Sequence, residues 1–132
     1  MLSFVYIEDD AMSRKVMAML LTKKMGYNSV TILEDSENFL AKILELPYPP
    51  DVIFLDIHMQ PYNGFEVLEM IRAGGHCPEA KMVALTASVM NEEVELLRKA
   101  GFDGVIGKPI DINTFPDLLN RILQGERIWR PT

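Results

Sequence analysis

Cysteine is almost missing from this chain: Cys77 is the only one in 132 residues. One thiol excludes an internal disulfide, and a cytosolic setting fits it. Basic residues are outnumbered, 13 Lys and Arg against 19 Asp and Glu, for a net charge of −6. That balance argues against direct nucleic-acid binding, which needs clustered cations facing phosphates. No apolar run approaches the roughly 20 residues of a membrane span. No basic region precedes the apolar start, so a secretory signal is not expected. No internal repeat, low-complexity tract or second domain is visible. What is present is an ordinary globular mix, 48% apolar and 24% charged. At this length it predicts one domain with a core large enough to need no staples.

The hydrophobic pattern alternates between two periods. Short apolar runs at 1–7, 28–33, 52–55, 81–86 and 104–106 predict five strands. Between and after them lie segments with helical spacing, at 11–25, from Asp35 or Ser36 to about Leu46, at 64–73, at 91–100, and from Asp111 or Asn113 to about Gln124. Gly26 and Gly101 follow the first and fourth as stop signals, and "PYPP" at 47–50 and "GGHCP" at 74–78 break the second and third. Five β-α repeats in this order predict an α/β domain at 1–124, a doubly wound five-stranded parallel sheet with helices on both faces. The near-continuous apolar character of the first, third and fourth strands suits burial from two sides. Residues 125–132, with Arg127, Trp129 and Arg130, read as a frayed tail or the start of a linker.

Ligands of such sheets bind outside the carboxyl ends of the strands. The first strand runs into Glu8, Asp9 and Asp10, the third into Asp56, the fourth into Thr86, and Lys108 follows the fifth. Several carboxylates in one crevice repel, so a positive partner is required. Lys108 is one candidate. Mg²⁺ is the other, because this hard cation takes one or two carboxylates, keeps waters and recruits phosphate oxygens. A carboxylate nucleophile beside Mg²⁺, a lysine and a hydroxyl is a set suited to phosphoryl transfer.

"VYIEDDAMSR", "VIFLDIHM" with Gly64 eight residues past Asp56, "VALTA" and "GKPI" together resemble the response-regulator receiver domains of two-component signalling, over residues 2 to about 124. The resemblance implies the flavodoxin-like strand order 2-1-3-4-5, of which a member of this family is a standard example. It implies Asp56 as the phosphorylated residue, Asp9 as a direct Mg²⁺ ligand and Glu8 as one acting through water. The backbone carbonyl of His58 would be the third protein ligand, Thr86 the switch hydroxyl, and Lys108 the partner of the phosphoryl oxygens, with the Lys108–Pro109 bond cis. It implies a histidine kinase or histidine phosphotransfer protein as donor, a cytoplasmic location, and a monomer or weak phosphorylation-dependent dimer, with no catalysis beyond phosphorylation and dephosphorylation of its own Asp56. Two departures stand out. Pro61 comes one residue later than the family's Met-Pro, after Gln60, so that loop is expected to turn differently. Val105 occupies the position of the usual aromatic switch.

Simpler readings exist for each residue. Asp10 suits a helix N-cap, and Asp56 alone could end a strand as a turn residue. Thr86 alone could be a plain β-branched strand residue, and the His58 side chain is expected to point outward. The four methionines of the first helix read as pliable core. Competing functions are a phosphate relay within a hybrid kinase, a haloacid-dehalogenase-type phosphatase, a flavin-binding flavodoxin, and a docking module without phosphorylation. The phosphatase would want a second Asp at position 58, and the flavodoxin a hydroxyl- and glycine-rich loop where "EDD" stands.

Overall fold

The computed structural model describes residues 2–88 and 90–129; the expectations that fall on Met1, Val89 and Arg130 lie outside them. The strands are β1 (Ser3–Ile7), β2 (Ser29–Leu33), β3 (Val52–Asp56), β4 (Lys81–Thr86) and β5 (Gly104–Gly107). The helices are α1 (Ala11–Ala18), α2 (Phe39–Leu44), α3 (Gly64–Ala73), α4 (Asn91–Ala100) and α5 (Phe115–Leu123). All pairings are parallel, in the order β2-β1-β3-β4-β5. This is the doubly wound sheet that the alternation predicts.

Period-2 alternation divides the core into two layers. Val5, Ile7, Ile53, Leu55, Met82, Ala84 and Val105 face Phe39, Ile43, Val67, Ile71 and Leu97 from α2, α3 and α4. Phe4, Tyr6, Val52, Phe54, Val83, Leu85 and Ile106 face Met17, Leu20, Phe115, Leu119 and Ile122 from the helical segment after β1 and from α5. With both faces covered, the polar ends of the central strands are left for a site on one rim.

The local differences from the sequence reading have identifiable causes. The first helix does not stay α-helical to Met25. It widens into a π-helix over Met19–Lys24 before Gly26, whose φ of +78° ends it. Of its methionines only Met17 is fully buried, while Met12 and Met19 are exposed, because one helix has only one inward face. Neither Asp35 nor Ser36 caps α2. Asp35 bonds the Glu37 N–H, and the Ser36 hydroxyl is used by the backbone of Tyr62, so α2 starts later, at Phe39. The start of α5 moves likewise, since Asp111 closes a turn onto the Asn113 N–H. The described part of the tail is attached rather than frayed. Ile128 is buried, its carbonyl accepts from the Val105 N–H at 2.8 Å, and the Arg98 guanidinium lies 5.5 Å from the Trp129 ring centre. Apolar surface at Ile128 and Trp129 outweighs the polar character of the flanking residues.

Gly64 at the start of α3 is there for lack of a side chain. A Cβ would stand 2.7 Å from Ile57 Cδ1 and 2.9 Å from the Asp56 carbonyl oxygen. Gly64→Ala should therefore destabilise the domain by about 1–3 kcal/mol, the usual cost of overpacking. Urea denaturation measures it, and an unchanged midpoint would mean that the loop between β3 and α3 yields freely.

Candidate functional site

β1 and β3 are adjacent in the sheet, with Ile7 opposite Leu55. Glu8 and Asp56, the next residues along, therefore end side by side. Both are buried, Glu8 completely and Asp56 to 3% exposure. β5 follows β4, and the Lys108 N–H donates to the Thr86 carbonyl at 2.9 Å, which turns the lysine back toward the rim. Its Nζ lies 2.9 and 3.0 Å from the two Glu8 carboxylate oxygens and 3.5 Å from Asp56 Oδ1. The Lys108–Pro109 bond is cis, and so is Gln60–Pro61 in the loop where the proline stands one residue late.

Burial raises the Asp56 carboxyl, and the hydrogen bond and charge of Glu8 raise it further, to about 8 against the pull of Lys108. Burial also pushes Glu8 up, but hydrogen bonds with Asp56, Tyr6 and Lys108 outweigh it and hold its carboxyl below the usual range. Burial works against the charge of Lys108, yet Glu8 and Asp56 keep the ammonium above its ordinary value. The two carboxyls are thus pushed apart, Asp56 toward its protonated form and Glu8 toward its charged form, as expected when two carboxylates share one cation.

Asp9 is exposed beside them, and Glu8, Asp9 and Asp56 can each place a carboxylate oxygen within 4.8 Å of the others. This all-oxygen set fits a hard divalent cation. A groove of about 540 Å³ beside Asp9 is lined by His58, Met59, Pro61 and Asn63. Asp10 is an N-cap, its carboxylate accepting from the Ser13 N–H at 2.8 Å and the Ser13 hydroxyl at 2.7 Å, so it stands apart from the cluster. The His58 side chain points outward, 71% exposed, while its N–H donates to Asp56 Oδ1 at 3.3 Å. Thr86 is buried, and its hydroxyl bonds Glu93 at 2.9 Å.

Two residues of the site escape the sequence reading. The Tyr6 hydroxyl donates to Glu8, and burial together with that bond drives the phenol far above its ordinary range. A signal existed: Tyr6 is two residues before Glu8 in a strand, hence on the same face. Glu93, from the first turn of α4, has no such signal, because only the packing of α4 brings it to Thr86. Among the described residues no buried side-chain polar atom lacks a hydrogen-bond partner.

A doubly wound parallel sheet with three acids, a lysine and a threonine gathered at its carboxyl rim defines the receiver class of signalling domain. The family model for the response regulator receiver domain matches residues 4–120. The chain belongs to that family, the receiver domains of two-component signalling. It is 28% identical over 109 residues to stress response regulator protein 1 of Candida dubliniensis, covering 83% of this chain and 38% of that one. It is 28% identical over 127 residues to a nitrate/nitrite response regulator protein homolog of Haemophilus influenzae, covering 96% of this chain and 59% of that one. The chain thus spans 38% and 59% of the length of these relatives. Among solved structures, the chemotaxis response regulator CheY4 of Vibrio cholerae superposes with a TM-score of 0.81 at 24% identity, covering 92% of this chain and 98% of that one. Family membership sets aside the phosphatase and flavodoxin readings. Among the described residues no helix is long and apolar enough to cross a membrane.

Proposed function

We propose that this domain is a phosphoacceptor switch in which Asp56 takes a phosphoryl group from a phosphohistidine of a histidine kinase or phosphotransfer protein. The observation that supports it most is Lys108 Nζ, placed between Glu8 and Asp56 at the end of buried strands. Asp56 first gives up its proton to solvent, as a carboxyl does when a cation binds it. A carboxylate oxygen then attacks phosphorus, the P–N bond breaks, and its electron pair stays with the imidazole. An acyl phosphate on Asp56 results. Lys108 then has phosphoryl oxygens to bond in place of Glu8, and the Thr86 hydroxyl is the neutral donor on the same rim. Asp9, Asp56 and the His58 carbonyl, with Glu8 through water, would hold Mg²⁺, which when bound neutralises charge on the phosphoryl oxygens. We place the protein in the cytoplasm, as a monomer or a weak phosphorylation-dependent dimer. The domain then signals by shifting between two surfaces rather than by turning over a substrate.

Incubation with Mg²⁺ and acetyl phosphate should add one phosphoryl mass, seen by intact mass spectrometry and lost in EDTA. No added mass would overturn the reading. A relay role is the second reading, favoured by Val105, which is fully buried and too small to swing between states as an aromatic would.

The metal ligands separate by variant. Glu8 is engaged by Lys108 and Tyr6, whereas Asp9 is exposed with its carboxylate at the cluster. Glu8→Ala, which removes a ligand acting through water, should weaken Mg²⁺ binding about tenfold, the lower end for an outer-shell partner, and Asp9→Ala, which removes a direct ligand, should weaken it more. Titration followed by amide NMR checks this, and equal losses would contradict it.

A further inference from the structure

We propose that Glu93 is the residue through which the switch hydroxyl holds α4, competing with the phosphoryl group for the single proton of Thr86. The inference rests on the phosphoacceptor reading and names how that site is read out.

A threonine hydroxyl has one proton to give. Here that proton goes to Glu93 Oε1 at 2.9 Å, and the hydroxyl oxygen accepts from the Ser88 N–H at 3.1 Å. While this arrangement stands, Thr86 has nothing to donate toward Asp56. Glu93 is the third residue of α4. A glutamate there commonly bonds back to the N-cap N–H of its own helix. The N-cap is Met90, whose side chain caps nothing, and the Glu93 carboxylate turns to Thr86 instead. α4 is therefore tied to the rim by a side-chain bond to the hydroxyl that a phosphoryl group would claim.

The surroundings give Glu93 somewhere to go. Its side chain is 22% exposed, and Nε2 of the exposed His58 lies 3.8 Å from Oε1. Release of Thr86 leaves the carboxylate able to turn toward that imidazole and solvent, so losing the bond strands no buried charge. Val105, fully buried among the residues beneath α2–α4, has no part to move. The bond between Thr86 and Glu93 thus supplies a link from site to helix that does not depend on an aromatic at that position.

Beryllofluoride with Mg²⁺, a mimic of the phosphoryl group, tests this by its affinity for four proteins: wild type, Glu93→Ala, Thr86→Ala and the double variant. Glu93→Ala should bind about tenfold more tightly than wild type, the worth of one hydrogen bond to a charged group. In the Thr86→Ala background the same change should alter affinity less than about twofold, a coupling that a double-mutant cycle isolates. Glu93→Gln keeps an acceptor oxygen but loses the charge-assisted part of the bond, and should gain only about threefold. Amide shifts over residues 91–100 on ligand addition should shrink in Glu93→Ala while those at 8–10 and 56–61 persist. A gain that survives in Thr86→Ala, or that Gln matches, would show simple repulsion between Glu93 and the anion and overturn the coupling. Wild type that binds no beryllofluoride would overturn the phosphoacceptor reading itself, and this inference with it.

Discussion

Asp56→Asn should gain no phosphoryl group from acetyl phosphate and Mg²⁺, a loss of at least about a thousandfold in rate, because an amide cannot replace the attacking carboxylate. The fold should survive the change. Asn has nearly the shape of Asp, and its amide N–H can donate to the Glu8 carboxylate beside it. Intact mass followed over time, with circular dichroism as the folding control, decides the matter. A variant that gains the same mass at the same rate would move the acceptor elsewhere. Asp9, exposed on the same rim, would then be the first residue to replace.

In EDTA, the stability of the wild-type domain should fall as pH rises from about 5 toward 8. Asp56 in the folded protein keeps its proton up to about 8, whereas in the unfolded chain it ionises near the ordinary value of about 4. Between those values the folded state binds more protons than the unfolded state, so raising pH favours unfolding, by at most about 1.4 kcal/mol per pH unit for one proton. Glu8 has the opposite sign but a different window. Its lowered carboxyl contributes stability that is lost only in acid, as pH falls below the ordinary glutamate value of about 4.3. Lys108, held above its ordinary value, contributes a constant amount until pH passes about 10. The slope between 5 and 8 thus belongs to Asp56, and Asp56→Asn should flatten it. Urea denaturation at half-unit intervals measures both curves. A flat wild-type curve would mean that Asp56 is ionised beside Lys108 without a metal. Added Mg²⁺ should stabilise more at higher pH, where no proton competes for the carboxylate.

Residue type and spacing carry the strands and their order of chemistry. One apolar run ending in an acid could be a plain turn, but two such runs in a β-α alternation read as buried strands reaching the same rim, so the gathering of Asp56, Glu8 and Asp9 is legible without coordinates. The same holds for Lys108 before Pro109. Helix starts are less legible, and Ser36 shows why. Its hydroxyl can cap a helix or bond a distant backbone equally well, and the loop carrying Tyr62 settles the choice.

The sequence by itself determined the doubly wound class, the two-sided burial of the central strands and the acids and lysine of the rim, because strand and helix periods and the polarity of strand ends are local properties of the chain. Only the tertiary structure decided which carboxyl is pushed up and which is held down, since burial raises Asp56 while hydrogen bonds with Asp56, Tyr6 and, from 100 residues away in sequence, Lys108 converge on Glu8. It alone attached the tail through Ile128 and gave Thr86 its partner Glu93. Those outcomes are set by which side chains the packing of separate elements brings within hydrogen-bond reach, and no period in the chain encodes that distance.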